Sequence, residues 1–253
     1  MYSDQLHTAT IAAKLAGAFL KEHFYKEKNV NEASQFDIKL ELDVRSQDLI
    51  TSYLLKDYPE YALYGEEGIA GNSESDWQWI VDPIDGTVNY FYGIPHFCVS
   101  IALRHKEEIV LGVIYDPMQD ELWKVQKGGQ PLLNGFPIHV SDRDKMEQSI
   151  VFIGPGKHAG SMEKGLERFA KISRQVRKIR ISGSAALALA YVATGRYDSY
   201  VESSISLWDI AAGNLLVESA GGKVLVNPSE SSKDQFSVMA WNGRIPIQKA
   251  LEE

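Results

Sequence analysis

Seven carboxylates sit at or near the end of an apolar run: Asp43, Glu66, Glu67, Asp82, Asp85, Glu202 and Asp209. Most lie beside Gly or Ser, as expected of a site assembled from strand ends and helix starts. The sharpest case is the stretch 79–87, Trp79-Ile80-Val81-Asp82-Pro83-Ile84-Asp85-Gly86-Thr87. Paired charge at the end of a buried strand needs something to neutralise it. Several oxygen ligands together suit a hard cation such as Mg²⁺. The six histidines, at 7, 23, 96, 105, 139 and 158, have no close pairing of the zinc-site kind.

Pro83 has a fixed φ and restricts Asp82 to extended backbone. Gly86 lets the chain turn tightly. A short helix opening at Thr87 would aim the amides of Gly86 and Thr87 at a phosphate. Each acid also has a plainer reading. The 82–87 stretch could be an Asx turn with a cap. Glu66-Glu67, between glycines, could be a solvated turn. Asp43 and Asp209 read as helix N-caps, and Glu202 as a surface group on an edge strand. No one of them decides the matter, although the apolar entry into Asp82 and Asp85 favours metal.

The elements that must position these acids follow from periodicity. Residues 3–27 read as a helix, with Leu6, Ala9, Ala13, Ala16 and Leu20 three or four apart. Residues 29–36 read as loop, and 44–56 as a second helix capped by Asp43. Strands are expected at 61–64, 77–81, 97–104, 108–115 and 121–126, then a hairpin-rich passage to Pro137. Beyond about Ser141, strands at 149–153, 177–181, 197–201 and 223–226 alternate with helices at 161–171, 184–194 and 210–220. The pattern implies two halves, an α+β half over 1–141 and an α/β half over 142–253.

The chain has 253 residues and is 44% hydrophobic, enough for a large core. A net charge of −8 argues against nucleic acid or an anionic membrane as partner. Cys98, the only cysteine, lies between Phe97 and Val99 and reads as core packing, so no intrachain disulfide forms. No signal peptide or membrane span is legible, so the expected place is the cytoplasm. Residues 154–160, Gly-Pro-Gly-Lys-His-Ala-Gly, fail as a P-loop because His158 follows Lys157 and the glycine spacing is wrong. They read as a flexible loop before a helix. No dinucleotide fingerprint follows a strand.

Four motifs together resemble the inositol monophosphatase family, within the Mg²⁺-dependent, lithium-sensitive phosphatases. They are GEEG (65–68), WIVDPIDGTVNY (79–90), SGSAALALAYVATGRYDSYVE (182–202) and WDIAAGNLLVESAGG (208–222). Their order matches and the resemblance spans nearly the whole chain. It implies a layered αβαβα sandwich of the inositol monophosphatase and fructose-1,6-bisphosphatase type, and a homodimer. It implies that Glu66, Asp82, Asp85, Asp209 and the carbonyl of Ile84 hold two or three Mg²⁺. Asp82 would bridge two of them. Glu66 and Thr87 would position the attacking water, with Asp43 behind Thr87. Asp85, Gly86, Thr87 and Asp209 would meet the substrate, the amides of Gly86 and Thr87 holding its phosphate. Gly183, Ser184 and Ala185 would line its leaving-group side, and Glu202 would accept inositol hydroxyls. The chain departs from the family upstream, in FDIKLELDVRSQ (36–47). Lys39 is nearer Asp43 than in many relatives, and Glu41 replaces a small or hydroxyl residue.

The expected activity is Mg²⁺-dependent hydrolysis of inositol 1-phosphate or a similar polyol phosphate, a small-molecule phosphate ester. Alternatives within the group are fructose 1,6-bisphosphate, histidinol phosphate, nucleotide 3′-phosphate or NADP as substrate. Outside it stands a regulatory binding protein that reuses the fold.

Overall fold

The computed structural model describes residues 2–34, 38–156, 159–229 and 235–252. Helix α1 (Ser3–His23) precedes the antiparallel pair β1 (Val30–Ala33) and β2 (Ile38–Leu40), then α2 (Glu41–Asp57). Next come β3 (Ala62–Gly65), β4 (Gly68–Gly71), β5 (Trp77–Asp85) and the short α3 (Thr87–Phe91). Strands β6 (Cys98–His105), β7 (Glu108–Asp116), β8 (Glu121–Gln126), β9 (Leu132–Leu133) and β10 (Phe136–Pro137) follow. Then β11 (Ile150–Ile153), α4 (Ala159–Ser173), β12 (Lys178–Arg180) and α5 (Ala185–Ala193) lead to β13 (Ser199–Ile205). The chain finishes with α6 (Leu207–Ser219), β14 (Lys223–Pro228), β15 (Phe236–Trp241) and α7 (Ile247–Glu252).

The strands make two large sheets. One has eight strands in the order β10-β9-β8-β7-β6-β5-β3-β4, and the other five in the order β12-β11-β13-β15-β14. The larger sheet is antiparallel except where β3 runs parallel to β5. In the smaller one β12, β11 and β13 are parallel, β15 runs against them, and β14, antiparallel to β15, runs with them again.

Three apolar clusters stack these sheets into five layers. Ala13, Ala16 and Leu20 of α1 and Ile50 and Leu54 of α2 cover one face of the larger sheet, at Trp79, Val81, Ile101 and Val113. Its other face, at Ile80, Ala102, Ile114 and Trp123, meets α5 and α6. Those helices also carry Phe152, Tyr200 and Ala240 of the smaller sheet. Beyond it, Ile172 of α4 and Ile247 of α7 pack on Val151, Val201 and Trp241. Helix α5 is buried at eight positions because a sheet covers each side, which explains its apolar sequence all round. The result is the αβαβα sandwich.

Several boundaries differ from expectation. Residues 30–33 are strand, not loop, because β2 supplies their backbone partners; Gln35 and Phe36 lie outside the described residues. Helix α1 stops at His23. Strand β5 runs on to Asp85, with an irregular register against β6 between Asp82 and Asp85. That irregularity re-aims the two carboxylates at the strand end. The expected readings left β4, β15 and α7 unassigned; β4 is a four-residue hairpin arm rich in glycine, with no strand signal of its own. No described helix is long and apolar enough to cross a membrane.

Candidate active site

The carboxyl ends of β5 and β13, the β3–β4 turn and the starts of α5 and α6 converge on a cavity of about 300 Å³. Glu66, Asp82, Ile84, Asp85, Gly86 and Thr87 line it from the larger sheet. Gly183, Ser184, Ala185, Glu202 and Asp209 line it from the other side. Every site residue singled out above lines this cavity except Asp43, which stands behind Thr87, and Glu67. One carboxylate oxygen from each of Asp82, Asp85 and Asp209 falls within 4.8 Å of the others.

Asp85 is fastened by protein donors. Ser184 Oγ donates to its Oδ2 at 2.5 Å, as does the Ala186 amide at 2.7 Å, and the Ala185 amide donates to Oδ1 at 3.2 Å. The buried Cys98 thiol adds a longer contact at 3.6 Å, a role beyond core packing. Burial pushes the Asp85 carboxyl up, while these donors pull it back. Asp82 accepts the Ile84 amide at 3.0 Å and shares a carboxyl–carboxyl hydrogen bond with Asp209. Burial pushes its carboxyl well above the usual range, and Glu66, Asp85 and Asp209 add to that as like charges. The cluster is therefore self-repelling without a cation. Its donors are hard oxygens, and among the described lining residues there is no Lys, Arg or His. A hard divalent ion fits that donor set.

Asp43 and Asp209 are not N-caps. The helices start earlier, at Glu41 and Leu207, so both aspartates occupy the third helical position. From there Asp43 Oδ2 accepts the Leu40 amide at 2.6 Å, and Asp209 Oδ2 accepts the Ser206 amide at 3.0 Å. This is the reciprocal half of a capping box, which Ser206-x-x-Asp209 spells out in the sequence. Trp208 is held by Ser100, whose hydroxyl donates to its carbonyl at 3.3 Å, and this seats the start of α6 against β6.

Gly86 takes a φ of +99° at the start of α3, a turn that glycine makes without strain. Thr87 Oγ1 lies 2.9 Å from the Ile84 carbonyl and 3.2 Å from Asp43 Oδ1. The hydroxyl has one proton for two acceptors. Burial, then Glu66 and Glu67, hold the Asp43 carboxyl at about 8, so in the metal-free protein Asp43 can donate the second.

Glu202 is not an edge residue, because β13 lies between β11 and β15. It is buried and accepts a 2.7 Å hydrogen bond from Tyr200 Oη. Burial and Glu202 raise the Tyr200 hydroxyl far above its usual value, so it stays a donor. A Cβ at Gly154, just past β11, would overlap the Glu202 carboxylate, so a larger residue there would displace that side chain. Glu67 is not a solvent group either: its side chain is 9% exposed and lies 3.7 Å from Lys39 Nζ.

Sequence reasoning missed the rest of the wall: Phe152, Pro155, Met162, Ile181 and Ile205. Gly154–Gly156, read only as loop, also line it; the signal was Gly-Pro-Gly at a strand's carboxyl end. Lys157 and His158 lie outside the described residues. Asn89 was missed too, although it sits two residues past Thr87. Its Nδ2 donates to the His96 carbonyl at 2.8 Å and the Ser182 carbonyl at 2.7 Å, joining α3 to the segment that fastens Asp85.

Comparison with known proteins identifies the family. The model of the inositol monophosphatase family matches residues 2–253. The chain is 39% identical over 255 residues to an inositol-1-monophosphatase of Mesorhizobium japonicum, covering 98% of this chain and 95% of that one. It is 38% identical over 227 residues to the Nus factor SuhB of Pseudomonas aeruginosa, covering 87% and 84%. The solved structure of the extragenic suppressor protein SuhB of Bartonella henselae superposes with a TM-score of 0.90 at 33% identity, covering 98% of each chain. The Thermotoga maritima IMPase superposes with a TM-score of 0.87 at 31% identity, covering 98% and 96%. The chain belongs to the inositol monophosphatase family, a metal-dependent family, and is a phosphoric monoester hydrolase.

Proposed function

We propose that this enzyme is a Mg²⁺-dependent phosphatase of inositol 1-phosphate or a similar polyol phosphate. The observation that carries the reading is the contrast within one cavity. Its metal side is a self-repelling carboxylate cluster, and its opposite wall offers Glu202 and no cationic side chain among the described residues. A second phosphate, as in fructose 1,6-bisphosphate or NADP, would meet a carboxylate there. A neutral polyol would meet an acceptor for its hydroxyls.

In this reading Glu66, Asp82, Asp85, Asp209 and the Ile84 carbonyl hold two or three Mg²⁺. When bound, the ions cancel phosphate charge, acidify water and stabilise the leaving alkoxide. Glu66 and Thr87 orient the attacking water, and Asp43 holds Thr87. The amides of Gly86 and Thr87 hold phosphate oxygens. Gly183, Ser184 and Ala185 face the leaving group, and Glu202 accepts its hydroxyls. Inhibition by Li⁺, a homodimer, a cytoplasmic place and a division into halves at 1–141 and 142–253 belong to the same reading.

Phosphate release over a panel of esters, with Mg²⁺ and with EDTA, tests it. Mg²⁺-dependent turnover highest on inositol 1-phosphate is expected. Full activity in excess EDTA, or a preference for bisphosphates, would overturn it.

A further inference from the structure

Lys39 stands in β2 directly before α2, and its backbone position is fixed from the site. The next residue, Leu40, donates its amide to Asp43 Oδ2, and Asp43 reaches Thr87 through its other oxygen. The ammonium points to the β3–β4 turn, 3.7 Å from Glu67 Oε1. Glu67 is itself held, since its amide donates to Gln47 Oε1 at 2.9 Å. A Cβ at Gly65 would overlap that Gln47 side chain, so the turn is packed hard against α2. Glu66, the neighbour of Glu67, lines the cavity beside Asp82. A positive charge is thus tethered beside Glu67, the sequence neighbour of the cavity-lining Glu66, and one residue before the Leu40 amide that Asp43 accepts.

We propose that Lys39 is a resident counter-cation of this cluster. It carries part of the positive charge that the Glu66–Asp43 edge requires, and so lowers the demand of that edge for a further metal ion. The inference rests on the proposed Mg²⁺ chemistry, and concerns how many ions the chain takes and how tightly. A mobile ion and a tethered ammonium compete for the same electrostatic role, because each stabilises the same carboxylates by charge. The lysine is 42% exposed, so its effect is screened and modest.

The test compares wild type with Lys39→Met and Lys39→Glu. Mg²⁺ binding is read by calorimetry, and ion number by Mn²⁺ paramagnetic resonance. Lys39→Met should tighten Mg²⁺ binding at the weakest site by ~2–5-fold, the range for a half-exposed pair, or add an ion. Lys39→Glu should do more. Both should melt lower than wild type in EDTA, and both should gain more from Mg²⁺. In a Glu67→Gln background, Lys39→Met should change Mg²⁺ binding less, because its partner is gone. Unchanged ion number, affinity and EDTA melting in both Lys39 variants would overturn the proposal while leaving the phosphatase reading intact. A wild type that binds no Mg²⁺ would overturn both.

Discussion

At the end of β5, Asp82 and Asp85 are buried with Glu66 and Asp209 as like-charged neighbours, and among the described residues Ile84 supplies the amide that Asp82 accepts. At Glu202 on β13, a tyrosine hydroxyl is supplied and a glycine makes room for the carboxylate. Both regions feed acids into one cavity, but only the first is electrostatically incomplete by itself. The comparison separates two kinds of work. The β5 end is an acidic cluster that could bind a metal ion, and on the proposed reading its balancing charge comes from outside. The β13 end has its hydrogen-bond donor and its space supplied by the protein, and on the proposed reading it discriminates among leaving groups. Asp85 lies between the two cases: it sits on β5 yet is fastened by the start of α5.

The comparison breaks most decisively at Asp82. Asp82→Asn should lower kcat/KM by at least ~10²–10³, the scale for losing one preorganised charge-stabilising group. It should also raise the melting temperature in EDTA, since one repelling charge is gone. Glu67→Gln should cost much less activity. Equal losses, or an Asp82→Asn protein that melts lower in EDTA, would mean that the cluster is not self-repelling. Next is Glu202→Gln, which should weaken use of inositol 1-phosphate by ~1.5–3 kcal/mol, the range for a hydrogen bond to a charged group. p-Nitrophenyl phosphate should be affected far less, and kcat/KM for both substrates checks this. An equal fall would place Glu202 in support of the metal side.

Asn89 tests the join between the regions. Asn89→Ala strips the His96 and Ser182 carbonyls of a shared donor and should cost ~1–3 kcal/mol of stability, measured by urea unfolding. A pH slope is expected as well. Asp43, Asp82 and Asp85 have folded pKa values above their unfolded ones, Asp43 at about 8. The folded state then binds more protons than the unfolded state between about pH 4 and pH 8. Stability of the metal-free protein must therefore fall as pH rises through that window. Melting in EDTA should be higher at pH 5 than at pH 8, and saturating Mg²⁺ should flatten or reverse the trend. A rising profile in EDTA would contradict the burial of these carboxylates.

Much of this was legible before any coordinates. Asp82-Pro83-Ile84-Asp85-Gly86-Thr87 announces a strand end, a turn and a helix start, because Pro and Gly fix local backbone whatever surrounds them. The apolar runs of β6, β7 and β8 and the uniformly apolar α5 are equally local signals. What escaped depends on contacts between distant segments. Whether Glu202 faces solvent or a cavity turns on the position of β13 in its sheet, which sequence spacing does not encode. Phe152, Met162 and Ile181 look like ordinary core residues until three separate elements bring them to one wall. Glu67 looked solvated because Lys39, 28 positions earlier, is paired with it only in three dimensions.

Helix α5 has one further consequence. It is sandwiched between the sheets, and Ala185, Ala186, Ala188, Ala190 and Ala193 present little more than methyl groups to them. The thickness of that layer sets how far the β5 end stands from the β13 end. The helix therefore acts as a gauge block for the cavity: its side-chain bulk meters the gap between the Asp82–Asp85 edge and the Glu202 edge. On the proposed reading, aperture depends on buried alanines such as Ala188, Ala190 and Ala193, which lie outside the cavity lining, and larger side chains there should change which leaving groups fit.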